Sequence, residues 1–125
     1  TAYEIMPSLV GSEMCIRDRA YGTPVPEESE DRDLLLEIDV AGGRQVLARL
    51  PDALCLFVDA PSDDELRRRL IQRGDGRERA EQRIAEAARE RAEAEGLGYR
   101  RVANDDLETA IVAVRELIDA ARARA

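Results

Sequence analysis

Short apolar runs alternate with helix-forming segments along this chain, and this alternation restricts the fold more than any other feature of the sequence. Strand-like runs cover residues 33–40, 53–60 and 99–103. The segments after them carry apolar residues at helical spacing. The order strand, helix, strand, helix, charged helix, strand, helix predicts a parallel sheet with right-handed crossovers. We therefore predict an α/β fold, with a parallel sheet flanked by helices.

Signals for helix starts and ends support this alternation. Ser62 is followed three residues later by Glu65, the spacing of a capping box, and Gly74 stands just past the end of the predicted helix 63–73. Before the last helix, Asp105 and Glu108 show the same spacing with Asp in place of Ser or Thr. Both helices are therefore predicted to begin at a side-chain cap.

A highly charged stretch at residues 77–95 has helical character but few large apolar residues. A helix without a wide apolar stripe has little to bury. We predict that it lies outside the main core, as a mobile flap.

The first strand-like run ends unusually, in the sequence "LLLEIDVAGG" at residues 34–43. Alternation along a strand would place Glu37 and Asp39 on one face. Burying unpaired carboxylates costs several kcal/mol, so the acids should lie at the open carboxyl end of the strand, where α/β sheets bind ligands. The run thus indicates either a binding site or a strand end capped by solvated acids.

Composition excludes several chemistries. The net charge of −8 argues against binding to a nucleic-acid backbone. All 19 basic residues are Arg, so lysine and histidine chemistry is absent from these residues. The sequence has no apolar run of the roughly 20 residues that a membrane span needs. Cys15 and Cys55 form no disulfide or metal-binding pattern, and a reducing cytoplasm is the expected location.

The N-terminal residues 1–19 differ in character from the rest of the chain. Both methionines fall here, and the string "GSEMCIRDR" resembles a translated sequencing adapter. We predict that residues 1–19 are foreign or disordered and that the native domain covers residues 20–125. The alternative is a genuine, irregular N-terminal arm.

Four motifs occur in order along the chain: "YGTP" at 21–24, "EIDVAGG" at 37–43, "PSDDELRRRLIQRG" at 61–74, and "ANDDLETA" at 103–110. Together they resemble the C-terminal portion of guanylate kinase, the enzyme that transfers a phosphoryl group from ATP to GMP. The resemblance implies a P-loop kinase-type parallel sheet, truncated at its N-terminal side, with a charged helical lid at about residues 74–96. It also implies GMP and ATP as substrates, with Mg²⁺ accompanying ATP.

The resemblance assigns the acceptor side of the site to four residues. Tyr21 matches the family residue that contacts the GMP phosphate, and Thr23 matches the one that contacts guanine. Glu37 and Asp39 match the acid pair beside the guanine nucleotide. By resemblance, therefore, the two acids face the GMP side of the cleft.

The resemblance assigns the catalytic side of the site to arginines. Phosphoryl transfer develops charge on equatorial oxygens that fixed cations stabilise, and the planar fork of arginine suits phosphate. Arg69 and Arg73 are four residues apart and share a helix face. With Arg83 they match the family's phosphate-gripping arginines, and Asn104 matches its adenine-side residue. Arg67 and Arg68 have no match in the family and are predicted to face solvent.

The sequence also departs from the family. Ala41 stands where Gln is usual, and Arg100 and Arg101 make the last strand more basic, which suggests an edge strand. A Gly-rich phosphate loop with its lysine has no counterpart here. We therefore expect this chain alone to be inactive, and to fold marginally or self-associate through exposed sheet edges.

Two other functions remain open at this point. One is a non-catalytic guanylate-kinase-like module that binds protein partners. The other is a different small-molecule kinase of the same broad class. The retained arginines favour the nucleotide kinase over the module, and "YGT" with "EID" favours guanylate as the acceptor.

Overall fold

The structure, a computed structural model, describes strands β1 (Met14–Ile16) and β2 (Arg19–Tyr21) and all of residues 33–125. The two strands pair antiparallel. The density of contacts divides the chain into two compact units, Thr1–Ala53 and Leu54–Ala125.

In the first unit, residues 33–40 do not form the predicted strand, so that prediction is wrong. Residues 33–39 have no regular secondary structure, and helix α1 (Val40–Arg49) begins where the strand was predicted to end. The side chain of Asp39 caps this helix by accepting a hydrogen bond of 2.7 Å from the backbone N–H of Gly42. Asp is a preferred N-cap residue, and strand propensity acts only where packing and pairing support it. Leu35, which a buried strand would have covered, is 90% exposed.

The second unit alternates strands and helices as the sequence predicts. Its elements are β3 (Leu56–Asp59), α2 (Asp63–Gln72), α3 (Arg77–Gly96), β4 (Arg100–Ala103) and α4 (Leu107–Arg124). The two strands pair in parallel, with Leu56 opposite Arg100 and Asp59 opposite Ala103. The predicted α/β class with parallel strand pairing is therefore confirmed. No helix in the described ranges is long and apolar enough to cross a membrane.

The helix caps agree with the sequence at α2 and differ by one residue at α4. The hydroxyl of Ser62 accepts from the backbone N–H of Glu65 at 3.1 Å. Past the end of α2, Gly74 adopts φ +101°, a conformation that favours glycine. At α4, Asp106 rather than Asp105 is the cap, because the helix begins at Leu107 and Thr109 donates to Asp106 from both its N–H and its hydroxyl.

The charged helix α3 contributes to the core, so the prediction that it lies outside is wrong. Leu70 of α2 forms a buried cluster with Ala80 and Ile84 of α3, and Leu66 packs against it. Ala80 is fully buried and Ile84 is 8% exposed. Small residues let the two helices approach closely, so that few apolar atoms suffice to dock a helix rich in charge.

Arg67 joins the same two helices from outside the cluster. Its Nε donates to Oε1 of Glu81 on α3 at 2.5 Å, and its Nη1 donates to Asp64 at 2.7 Å. The prediction that Arg67 simply faces solvent is therefore wrong, because its side chain is two-thirds covered and bridges α2 to α3. Arg68, by contrast, is exposed.

Candidate functional site

Glu65, in the first turn of α2, fixes two arginines with one carboxylate. Arg69 donates from Nε to Oε1 at 2.8 Å, and Arg68 donates from Nη2 to the same oxygen at 2.6 Å and from Nε to Oε2 at 2.8 Å. The hydrogen bonds from Arg68 and then Arg69 lower the pKa of Glu65 to about 2. The carboxylate therefore stays charged at neutral pH and orients both guanidinium groups.

Arg69 also reaches the segment that follows β4. Its Nη2 lies 3.4 Å from the backbone oxygen of Asp105, the residue after Asn104. Two of the predicted site residues, Arg69 and Asn104, are thus brought to the same end of the β3–β4 sheet. This is the end where parallel strands present ligand sites.

Asn104 is half-buried and lines an open groove of about 460 Å³. The groove lies along the sheet and α4, and its walls are mainly apolar, with Val58, Val102 and Ile111 among them. Ligand pockets typically combine apolar walls with a few placed polar groups. Asn104 supplies such a polar group here.

Arg73 and Arg83 are more exposed than Arg69. Arg73 lies 3.4 Å from a carboxylate oxygen of Asp75, across the turn after α2, and its side chain is about two-thirds exposed. Arg83 is exposed on α3. An exposed guanidinium can turn toward a phosphate at little cost, whereas Arg69 is already oriented.

The predicted GMP-side residues belong to the first unit. Tyr21 is the last residue of β2, and Thr23 lies outside the described residues. Glu37 is exposed in the irregular segment before α1, and the carboxylate of Asp39 serves as the cap of that helix. The two acids therefore do not share the face of a strand, because the strand does not form.

The sequence interpretation missed a buried charge cluster at the carboxyl end of β3. Asp59 is 6% exposed. Arg91 of α3 donates to its two oxygens from Nε at 2.6 Å and from Nη2 at 3.2 Å, and Arg101 of β4 donates from Nε at 3.0 Å. Arg91 also lies 3.3 Å from Asp63 at the start of α2. Four elements thus meet at one ion-pair cluster.

The arginines decide the charge state of Asp59. Burial by itself would raise the pKa of the carboxyl group, but the hydrogen bonds and charges of Arg91 and Arg101 outweigh it and hold the pKa below its ordinary value. The signal for this residue was present in the sequence. The acid ends an apolar run, "LCLFVDA", and a carboxylate in that position needs a cation or a ligand.

Within residues 33–125 and the two N-terminal strands, no three Asp, Glu, His or Cys side chains cluster closely enough to hold a metal ion. The described residues therefore offer no dedicated cage of protein ligands.

Comparison with known proteins gives a consistent result. The sequence profile of guanylate kinase matches residues 17–121. A guanylate kinase of Synechococcus sp. (strain JA-3-3Ab) is 38% identical over 102 residues, which cover 78% of this chain and 47% of that protein. One from Synechococcus sp. (strain CC9311) is 42% identical over 95 residues, covering 73% and 50%.

A third relative, the guanylate kinase of Alkalilimnicola ehrlichii, is 41% identical over 96 residues, which cover 76% of this chain and 47% of that protein. The chain therefore spans about half the length of the curated relatives it matches. The matched region includes both the α2 arginines and the Asn104 segment.

Proposed function

The chain belongs to the guanylate kinase family, and from this we propose that it forms part of an ATP-dependent kinase that phosphorylates GMP to GDP. GMP and ATP are the proposed substrates, and Mg²⁺ enters bound to ATP. The chain supplies the cationic and base-contacting half of the site.

The observation that carries this proposal is the placement of Arg69 beside the Asn104–Asp105 segment. Arg69 is held by Glu65 on one side and reaches the backbone oxygen of Asp105 on the other. A guanidinium fixed in advance at the end of the sheet loses little entropy when it binds phosphate. Preorganised cations of this kind stabilise the charge that develops in phosphoryl transfer.

Arg73 and Arg83 complete the proposed set of cations. Both are exposed, and Arg83 lies on a different helix from Arg69 and Arg73. Cations that approach a triphosphate from two helices can contact oxygens that a single helix face cannot reach. In this proposal Arg69 orients the phosphates, and Arg73 and Arg83 close on them.

Asn104 is proposed to contact the adenine of ATP. Its amide offers both a donor and an acceptor, and it lies at the apolar groove along the sheet. Tyr21, Thr23, Glu37 and Asp39 stay predictions for GMP binding, as do the cytoplasmic location and the place in purine nucleotide metabolism.

The experiment is a calorimetric titration of the 125-residue chain with ATP·Mg²⁺ and with GMP, using two matched variants. Arg69→Met removes the cation that reaches the Asn104–Asp105 segment. Arg68→Met removes a neighbour that binds the same Glu65 carboxylate but is exposed. We expect Arg69→Met to weaken ATP binding about tenfold or more, the size of a lost charge-assisted hydrogen bond, and Arg68→Met to change it by less than about twofold.

Equal effects of the two variants would contradict the proposed role of Arg69. Failure to bind either nucleotide, in this chain and in a version extended with a phosphate-loop strand and acceptor region, would favour the non-catalytic binding module. An assay for ATP-dependent GDP formation by a version of the chain extended with a phosphate-loop strand and acceptor region, with AMP as the control acceptor, tests the choice of guanylate over another nucleotide.

A further inference from the structure

Asp59 links the two parts of the unit that carry candidate nucleotide-binding residues. Its backbone oxygen accepts a hydrogen bond of 2.7 Å from the backbone N–H of Asn104. Its carboxylate receives Arg91 from α3, the helix that also carries Arg83. One residue thus contacts the proposed adenine-side segment through its main chain and the proposed lid helix through its side chain.

The C-terminal half of α3 buries little apolar surface. Ile84, the one large buried residue of this helix, lies in its N-terminal half, together with the Arg67–Glu81 bridge. Toward the C-terminal end the buried residue is Ala94, which buries little apolar area. Arg91, which pairs with Asp59 and lies 3.3 Å from Asp63, attaches this half of the helix to β3 and to the start of α2.

The geometry of the pair suits an anchor. Arg91 contacts both oxygens of Asp59, and a bidentate pair restricts orientation as well as distance. Arg91 is itself about one-quarter exposed and Asp59 is almost fully covered. Arg101 contacts the same carboxylate from the sheet, without touching the contacts that Arg91 makes from α3.

We propose that Asp59 is a positioning residue that fixes α3, and with it Arg83, in a set relation to Asn104. The part that concerns nucleotides rests on the proposed function, since Arg83 and Asn104 matter only if they bind the substrates. The anchoring of α3 does not depend on it. Asp59 acts through Arg91 and through the backbone of Asn104, without touching a substrate.

Hydrogen–deuterium exchange of the full chain without nucleotide tests the anchor. In Asp59→Asn and in Arg91→Gln, we expect the backbone amides of residues 86–96 to exchange about tenfold faster or more, because local opening no longer breaks an ion pair. Arg101→Gln is the matched control. It removes the other arginine from the same carboxylate but leaves α3 attached, so exchange in residues 86–96 should change by less than about threefold.

Arg91→Lys tests whether the anchor acts through charge and a hydrogen bond, because lysine keeps the charge and one possible contact. We expect this variant to recover at least part of the protection lost in Arg91→Gln. If Arg91→Gln leaves residues 86–96 as protected as in the parent chain, or if Arg101→Gln exposes them equally, the anchoring role is wrong. Should Asp59→Asn fail to fold, the comparison of Arg91→Gln with Arg101→Gln still decides the matter.

Titration with ATP·Mg²⁺ separates this inference from the proposed function. If both hold, Arg91→Gln weakens ATP binding several-fold although Arg91 is not proposed to touch the nucleotide. Faster exchange in a chain that binds no nucleotide would support the anchor and contradict the nucleotide binding proposed for this chain. Unchanged exchange in a chain that binds ATP would refute the anchor and support the proposed function.

Discussion

Helices α3 and α4 attach to the same unit in ways that are the opposite of what their compositions indicate. The charged helix α3 buries Ala80, Ile84 and Ala94. The apolar helix α4 buries Ala110, whereas Leu107 and Ile111 on its apolar side are 65% and 45% exposed. The helix that seemed suited to solvent is the one that docks more completely.

This difference between α3 and α4 shows that an apolar stripe indicates which face of a helix favours burial, but not which element packs against that face. In α3, ion pairs to neighbouring elements and two closely packed alanines replace a broad apolar face. Charges on a helix become docking contacts when their partners, such as Asp59 and Arg67, stand on the elements beside it. Sequence periodicity within one helix cannot show those partners.

The sharpest test of this comparison replaces one isoleucine in each helix. Ile84→Ala in α3 should lower the free energy of unfolding by about 3 kcal/mol, because it opens a cavity in the buried cluster. Ile111→Ala in α4 should cost less than about 1 kcal/mol, since that side chain is 45% exposed. Urea unfolding followed by circular dichroism measures the free energy of unfolding of both variants. Equal losses of stability would contradict the conclusion that α3 docks more completely than α4.

A second test asks whether the attachment of α3 depends on charge. The pKa of Asp59 lies below its ordinary value in the folded state, so its stabilising effect is present above about pH 4 and is lost as the pH falls through the lowered pKa. We expect Asp59→Asn to cost about 2 kcal/mol near neutral pH and progressively less toward about pH 2. Arg91 and Arg101 face this carboxylate, and Asp63 lies beside Arg91.

Urea unfolding of the parent chain and Asp59→Asn at several pH values measures this effect. A difference between the two proteins that stays constant down to low pH would contradict the charge-dependent attachment.

A third test concerns the helix on which α3 packs. Ser62→Ala removes the N-cap of α2 and should cost about 1 kcal/mol, with the cap restored by Ser62→Thr. Because a cap acts locally, hydrogen exchange should rise in the first turn of α2 and stay unchanged in α4. Faster exchange across α4 would mean that the two helices are coupled more closely than their contacts indicate.

The smallest expected effect belongs to the bridge between Arg67 and Glu81. Both side chains are partly exposed, at 33% and 50%, and solvent screens pairs of this kind. A double-mutant cycle with Arg67→Met and Glu81→Gln should show a coupling weaker than that between Asp59 and Arg91. The coupling should shrink as salt is added, and a coupling unaffected by salt would indicate a stronger, desolvated pair.

Much of the secondary structure of the second unit could be predicted from its sequence, because the signals for its helix ends and strands lie within a few residues of each other. The spacing of Ser62 to Glu65 and the glycine at 74 define the ends of α2. The apolar runs at 53–60 and 99–103 contain strands β3 and β4. Family motifs also predicted Arg69 and Asn104 as site residues, and the fold brings these two to one end of the sheet.

The errors arise where the outcome depends on partners distant in sequence. Residues 33–39 are apolar enough for a strand, but the cap that Asp39 provides to α1 prevails at their end. The roles of Arg67 and Asp59 depend on Glu81 and Arg91, 14 and 32 residues further along. No spacing rule within a single helix or strand reveals such pairs.

The register of the two parallel strands has a consequence for how this region tolerates changes in length. Asp59 lies opposite Ala103, so both strands end at one level and the next residues, Ala60 and Asn104, leave the sheet side by side. Since side chains alternate at every step along a strand, one residue inserted into the turn at 97–99 would carry Arg101 to the opposite face and away from Asp59. The length of that turn is therefore tightly constrained, and so is its central residue, since Gly98 adopts φ +80°, a conformation that favours glycine.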